Sequence, residues 1–189
     1  MNIVDRNFQE HAKVISLLRE NLSEDVKNLG NFLGQILKDG GTIFWAGNVG
    51  SAADSQHLAA ELVGRFKNNR KALRSVALTT DTSVLTCIAN DYSYDDIFSR
   101  QLEALGRDGD VLVAISTSGN SENVSRALIS AKELGVKTIA LLGKDGGKAK
   151  ELADLSIVIP SNSTARIQEA HILIGHILCD LIERELGLA

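Results

Sequence analysis

The chain is predicted to fold as an α/β protein, a five-stranded parallel sheet flanked by helices. Val111-Leu112-Val113-Ala114-Ile115 is an unbroken apolar run, the pattern of a parallel strand covered on both faces. From residue 42 onward, short apolar runs alternate with polar turns and helical patterns, the grammar of βαβ units. The turns after two of those runs, Asn48–Ser51 and Ser116–Ser121, lie at strand carboxyl ends, where open α/β sheets bind ligands.

The chain has 189 residues, enough for one domain spanning 1–189 with a full core. At 44% hydrophobic and 23% charged it has the composition of a globular protein. The net charge of −4, with Lys and Arg scattered, leaves no footprint for nucleic acid and no polybasic membrane patch. No run approaches transmembrane length, and the N-terminus has no signal-peptide apolar region, so a cytoplasmic location is expected. Cys87 and Cys179 lie far apart among apolar neighbours and read as buried free thiols of a reducing compartment.

Taken in order, Val4, Phe8, Ile15, Leu18 and Leu22 recur at helical intervals over residues 3–21. Ser23 precedes a second helical pattern, Val26 to Leu37, which Asp39-Gly40-Gly41 stops. This pair of helices, within 1–39, must pack on the domain or on a neighbouring subunit. Thr42–Ala46 reads as a buried strand, Gly47–Ser51 as a tight turn, and roughly Ala52–Phe66 as a helix. Ser75–Leu78 is a short strand, and Thr79–Thr82 a loop ending in an N-cap for a helix over Ser83–Ala89. Asn90–Tyr94 is a polar turn before a helix over Asp95–Leu105, and Gly106–Asp110 a turn before the strand at Val111. A helix over Val124–Leu134, strands over Lys137–Leu142 and Leu155–Ile159, and the glycine-rich turn Gly143–Gly147 follow. Thr164–Leu186 is one long helix, apolar on nearly every side in its middle, which favours an oligomer interface.

The most specific local signal is Ser116-Thr117-Ser118-Gly119-Asn120-Ser121: four hydroxyls crowding a strand-to-helix loop. One cap needs one hydroxyl; four, with backbone N–H groups at a helix N-terminus, suit a phosphate monoester. The loop lacks the G-K-[ST] of a Walker A motif, which argues against nucleotide triphosphate hydrolysis. Gly47, Gly50 and Ser51 offer a second place where an anion can approach backbone N–H groups. His57 and Glu61, four residues apart, share a helix face and can share a metal or a proton, or be an ordinary surface pair. Gln168 and His176 are polar interruptions in the apolar last helix and need partners; about 12 Å of helix rise separates them, so both meet one ligand only near full side-chain reach or from different subunits. His11 and His171 read as structural.

Together these blocks resemble the sugar isomerase (SIS) domain family and, within it, the phosphoheptose isomerases. The resemblance rests on G-N-V-G-S-A-A-D-S-Q-H-L-A-A-E-L, A-L-T-T-D-T with A-N-D-Y, D-V-L-V-A-I-S-T-S-G-N-S, G-K-D-G-G, and A-R-I-Q-E-A-H-I-L-I-G-H, and it covers nearly the whole chain. It implies a flavodoxin-like SIS fold, a homotetramer with active sites at subunit interfaces, and a Zn²⁺ site whose matching ligands here are His57, Glu61, Gln168 and His176. It further implies a sugar-phosphate substrate with its phosphate on Ser116, Thr117, Ser118 and Ser121, and with Asn48, Val49, Gly50, Ser51, Glu61, Asn90, Asp91 and Gln168 around it. The implied reaction is aldose–ketose isomerisation of D-sedoheptulose 7-phosphate to D-glycero-D-manno-heptose 7-phosphate, feeding lipopolysaccharide or other surface glycans. Glu61 and His176 are the expected acid–base pair, with Asp91 assisting proton traffic and Arg65 orienting Glu61 or touching a neighbouring subunit. Two rivals remain: a non-catalytic SIS regulator of the replication initiator, and an isomerase of another sugar phosphate. One position departs from the family's usual G-N-G-G-S, namely Val49. A positive φ there would strain valine, whereas a negative φ would leave it unstrained but narrow the pocket.

Overall fold

The structure, a computed structural model, describes residues 2–188. The order of elements is α1 (Ile3–Lys38), β1 (Ile43–Gly47), α2 (Gly50–Val63), β2 (Ser75–Ala77), α3 (Thr82–Asp91), a 3₁₀ turn (Tyr94–Asp96) and α4 (Ser99–Leu105). Then come β3 (Val111–Ser116), α5 (Glu122–Glu133), β4 (Lys137–Gly143), α6 (Gly147–Leu152), β5 (Leu155–Ile159) and α7 (Thr164–Glu185). The five strands are all parallel, as the apolar runs predict, and stand in the order β2-β1-β3-β4-β5.

Side chains alternate across the sheet and divide the core in two. Trp45, Val113, Ile115, Leu141 and Ile157 face α1, α2 and α7. Their neighbours Phe44, Leu112, Ala114, Ala140 and Leu142 face the helices α3 to α6. Trp45 is fully buried, and its indole N–H donates to Ser75 Oγ at 2.9 Å, joining β1 to β2.

Several expectations change. The two N-terminal helices are one continuous helix of 36 residues. Ser23 does not open a second helix; its hydroxyl donates back to the Arg19 carbonyl at 2.5 Å within the ladder. Gly30 and Gly34 bring α1 so close to α7 that a Cβ on either would strike Leu181 or Glu185. Much of the apolar middle of α7 is thereby covered within the chain, while Ile172, Leu173, Ile177 and Leu181 stay half-buried. Cys179 is buried but Cys87 is exposed on α3. Asn90 and Asp91 close α3 rather than forming a turn, and the helix expected over Asp95–Leu105 is a 3₁₀ turn followed by α4. The short helix α6 was not foreseen in the glycine-rich stretch.

The turn after β1 answers the question posed by Val49. Ser51 N donates to Asn48 O at 2.9 Å, closing a β-turn in which Val49 has φ 54° and ψ −114°. That is the first central position of a type II′ turn, where glycine is favoured and a β-branched residue is strained. The surroundings leave the turn no freedom to relax. Asn48 and Asn123 exchange two amide hydrogen bonds, each 2.9 Å, and Tyr94 Oη donates to Asn48 Oδ1 at 3.1 Å. Gly50 lies directly under Gln168, whose amide a Cβ there would strike.

His171 is structural, as expected. It is fully buried, and Nε2 donates to the Leu142 carbonyl at 2.9 Å while Nδ1 has no partner. Burial holds its pKa down from 6.5 to about 4.

Two outcomes follow. Val49→Gly removes about 1–3 kcal/mol of strain against about 0.5–1 kcal/mol of added unfolded-state entropy, so the melting temperature should rise by about 2–4 °C. A melting point at or below wild type would show that the turn carries no strain. For His171, the unfolded state binds the extra proton between its ordinary pKa of 6.5 and the folded value of about 4, so stability is complete above that window and falls as pH drops through it. Denaturant titrations of His171→Gln across pH 4–7 should lose this part of the slope; an unchanged slope would place the acid sensitivity elsewhere.

Candidate active site

The sheet order reverses between β1 and β3, making their carboxyl ends the topological switch point. A cavity of about 330 Å³ lies there, lined by Asn48, Val49, Gly50, Ser51, Ile115, Ser116, Thr117, Ser118, Ser121, Thr164 and Gln168. The two polar loops singled out in the sequence thus meet across adjacent strands. Ser116 Oγ accepts from Gly119 N at 3.1 Å and Ser118 Oγ from Asn120 N at 3.2 Å, so these two hydroxyls shape the loop. Ser121 is the N-cap residue of α5 but makes no capping bond with its side chain, which leaves its hydroxyl for a ligand. With the first amides of α5 beside it, this side of the cavity favours an anion.

A second cluster stands where α2 crosses α7. His57 Nε2 and His176 Nε2 are 2.9 Å apart, one imidazole donating to the other, and His57 Nε2 is 3.5 Å from Glu61 Oε1. The imidazoles meet edge to face, and Phe66 stacks on His176 with ring centroids 5.7 Å apart. Gly175 permits the crossing: a Cβ there would come within 2.6 Å of the Leu58 methyls. The helix pair therefore brings His57 and Glu61 together with His176, which lies 115 or more residues further along the chain. Cys179, one turn beyond His176, is held protonated, its thiol pushed up to about 12 by burial and then by the nearby carboxylates of Glu61 and Glu183.

Between cavity and cluster lies Asp54, which the sequence reading missed. It is 8% exposed, and its Oδ2 has no hydrogen-bond partner. Burial raises its pKa, against the opposing influence of Gln168, His57 and His176, all of which it faces. Gln168 thus lies in the cavity and beside a carboxylate that feels the charge of both imidazoles. Its signal was present: Asp54, His57 and Glu61 fall at i, i+3 and i+7 on one helix face. Asn123 and Tyr94, which fix Asn48, carried no such signal. Asn90 and Asp91 do not line the cavity; both are exposed at the end of α3, with Asn90 Nδ2 donating to Asp91 Oδ1 at 2.7 Å. Arg65 donates to the Lys67 carbonyl at 3.3 Å and makes no bond to Glu61.

Among the described residues, no group of three or more His, Cys, Asp or Glu side chains stands as a ready-made metal cage. The donor types nevertheless fit zinc: two imidazole Nε2 atoms already converge, and a carboxylate flanks them. Tetrahedral ligands at about 2.0–2.1 Å stand about 3.3 Å apart, so the imidazole pair needs only a small opening to take a metal in place of its shared proton.

The sequence profile described as the SIS domain matches residues 7–143. The chain is 51% identical over 183 residues to the phosphoheptose isomerase of Helicobacter pylori strain P12, covering 97% of this chain and 95% of that one. It is 52% identical over 182 residues to the phosphoheptose isomerase of Aliarcobacter butzleri, covering 96% of each. The fold superposes on phosphoheptose isomerase GmhA of Neisseria gonorrhoeae with a TM-score of 0.91 and 46% identity, covering 96% of this chain and 97% of that chain. For the phosphoheptose isomerase of Francisella tularensis the TM-score is 0.93 at 33% identity, covering 97% and 100%. With its anion cavity at the β1/β3 switch point and its His–Glu–His crossing, the chain belongs to the phosphoheptose isomerase family of SIS-domain proteins.

Proposed function

We propose that this protein is an aldose–ketose isomerase that converts D-sedoheptulose 7-phosphate into D-glycero-D-manno-heptose 7-phosphate. The observation that carries the reading is the joint placement of an anion-favouring cavity and a His–Glu–His crossing, bridged by Gln168 and Asp54. The phosphate sits on Thr117, Ser121 and the α5 amides, with Ser116 and Ser118 shaping that loop. The reacting end then extends past Gln168 toward α2 and α7.

The chemistry is two coupled proton transfers. One member of the Glu61/His176 pair takes a proton from C1 while the other delivers one to the C2 oxygen, giving an enediol. Returning a proton to C2 and removing the one on the C1 oxygen leaves the aldehyde, with no net gain or loss of electrons. Glu61 has a side chain 23% exposed, buried enough to hold one orientation and open enough to reach a substrate. His57 holds His176 at 2.9 Å and fixes which imidazole edge faces the reacting carbons. A Zn²⁺ held by His57, Glu61, Gln168 and His176 would act as a Lewis acid on the substrate oxygens and stabilise enediolate charge.

The family resemblance supports a homotetramer, and the surface is consistent with one. Ile3, Val4 and Phe8 are 67%, 57% and 71% exposed along one end of α1. No described helix is long and apolar enough to cross a membrane. Feeding of a surface-glycan pathway and a cytoplasmic location remain part of the same proposal.

The deciding experiment measures turnover of sedoheptulose 7-phosphate by the purified protein, after chelation and after Zn²⁺ is restored. Conversion that zinc restores supports both the reaction and the ligand set; a folded protein inert under both conditions refutes the reaction. Glu61→Gln should fold as wild type and lose at least about a thousandfold in kcat, and residual full activity would remove Glu61 from the acid–base pair. Ser121→Ala should raise KM about tenfold with little change in kcat, since that hydroxyl holds phosphate in ground and transition states alike.

A further inference from the structure

Beyond the reacting groups, the loop that leaves α2 holds a buried ion pair with no part in the chemistry. Arg70 Nε donates to Glu183 Oε1 at 2.8 Å, and the two side chains are 1% and 0% exposed. The remaining guanidinium nitrogens go to main-chain carbonyls around the end of α2. Nη2 donates to Glu61 O at 2.8 Å, and Nη1 lies 2.7 Å from Leu62 O, 3.2 Å from Gly64 O and 3.0 Å from Lys71 O. Glu183, on α7, accepts in turn from Phe66 N at 3.1 Å and Lys67 N at 3.4 Å.

These contacts reach both halves of the proposed proton-transfer pair. Glu61 is anchored directly through its carbonyl. Phe66, anchored through its N–H, lays its ring against His176. His176 and Glu183 are seven residues apart on α7, so one stripe of that helix meets α2 at His57 and the loop after α2 at Arg70. A buried ion pair adds little net stability compared with well-packed apolar residues, because desolvation offsets its attraction. What a planar, multidentate guanidinium supplies is a fixed geometry.

We propose that the Arg70–Glu183 pair is a positioning element that sets the register of α2 on α7, holding His57 and Glu61 opposite His176. The proposal rests on the isomerase reading for its kinetic consequence, but its structural content stands apart from it. Arg70 and Glu183 touch no substrate and act only through the backbone of Glu61 and the ring of Phe66.

Two variants test it. Arg70→Lys keeps the charge and loses the fork. The double variant Arg70→Met with Glu183→Met removes both charges together, leaving neither carboxylate nor guanidinium stranded. Thermal melts identify which variant is folded and is to be read. In the folded variant, kcat should fall at least about tenfold while KM stays within about threefold, because the phosphate loop after β3 is untouched. In protein labelled with ¹⁵N-histidine, the imidazole signals of His57 and His176 should move while those of His11 and His171 stay. A purely structural pair would lower the melting point and leave kcat and the imidazole signals of the folded variant unchanged. Wild-type kcat, or unshifted His57 and His176 signals, overturns the proposal. If the wild-type protein converts no sugar phosphate, the functional reading fails, and the imidazole signals still decide the positioning role.

Discussion

The closeness with which α2 crosses α7 is the constraint on which the site depends. Gly175 faces Leu58 at the crossing, and a Cβ at 175 would come within 2.6 Å of both Leu58 methyl carbons, so either Leu58 or the helices would have to move. The neighbours of these two residues in sequence are His176 and His57, the imidazoles that meet at 2.9 Å. A displacement of one methyl group's width would separate them beyond hydrogen-bond reach. The packing term and the chemical term are therefore the same contact seen from adjacent residues. The long α1 helix lies against α7 through its own two glycines and supports it from the other side.

The anion-favouring cavity and the His–Glu–His cluster obey different physics and are built from different elements. The cavity is formed by loops after β1 and β3, where backbone N–H groups and hydroxyls need only be left free and oriented. The cluster is carried by the interiors of two helices, where side chains are held by packing. Helix α7 serves both, presenting Gln168 to the cavity and His176 to α2 two turns later. Asp54 is the polar link between them, and its unpartnered oxygen is a cost that a purely structural carboxylate would not bear without compensation. Its raised pKa reflects burial prevailing over the imidazoles and the amide that it faces.

The parallel sheet and both polar loops were legible because each rests on local pattern, namely apolar runs, breakers and clustered hydroxyls, whereas the flavodoxin-like strand order came only with the resemblance. The meeting of His57 with His176 was legible only through resemblance, since nothing in the spacing of residues 119 apart brings them together. Local reading failed where tertiary contacts overrule it. Ser23 resembles a helix start, but its neighbours on both sides pack along α7 and the helix continues. Cys87 has apolar sequence neighbours, yet it occupies the outer face of α3. For Asn90 and Asp91 the resemblance implies a place around the substrate; within the chain they are exposed at the end of α3, and Tyr94 is the member of that segment that reaches Asn48. Val49 was undecidable from sequence because its cost depends on the sign of φ, a backbone quantity imposed by the amide pair of Asn48 and Asn123.

The same details weigh against a purely binding role for the chain. A surface that only docks a partner is stabilised by satisfying its polar groups, and it gains nothing from crowding them. Here two imidazoles and two carboxylates are gathered where two helices cross, one carboxylate oxygen is left unpartnered, and an N-cap hydroxyl is left unused. Each of these features costs stability, and all of them lie within one region of the molecule. Unsatisfied polarity concentrated in this way is characteristic of a site whose partners arrive with a substrate. A regulator that kept the fold and lost the reaction would have no use for these groups, and their gathering in one place argues that the site is in use.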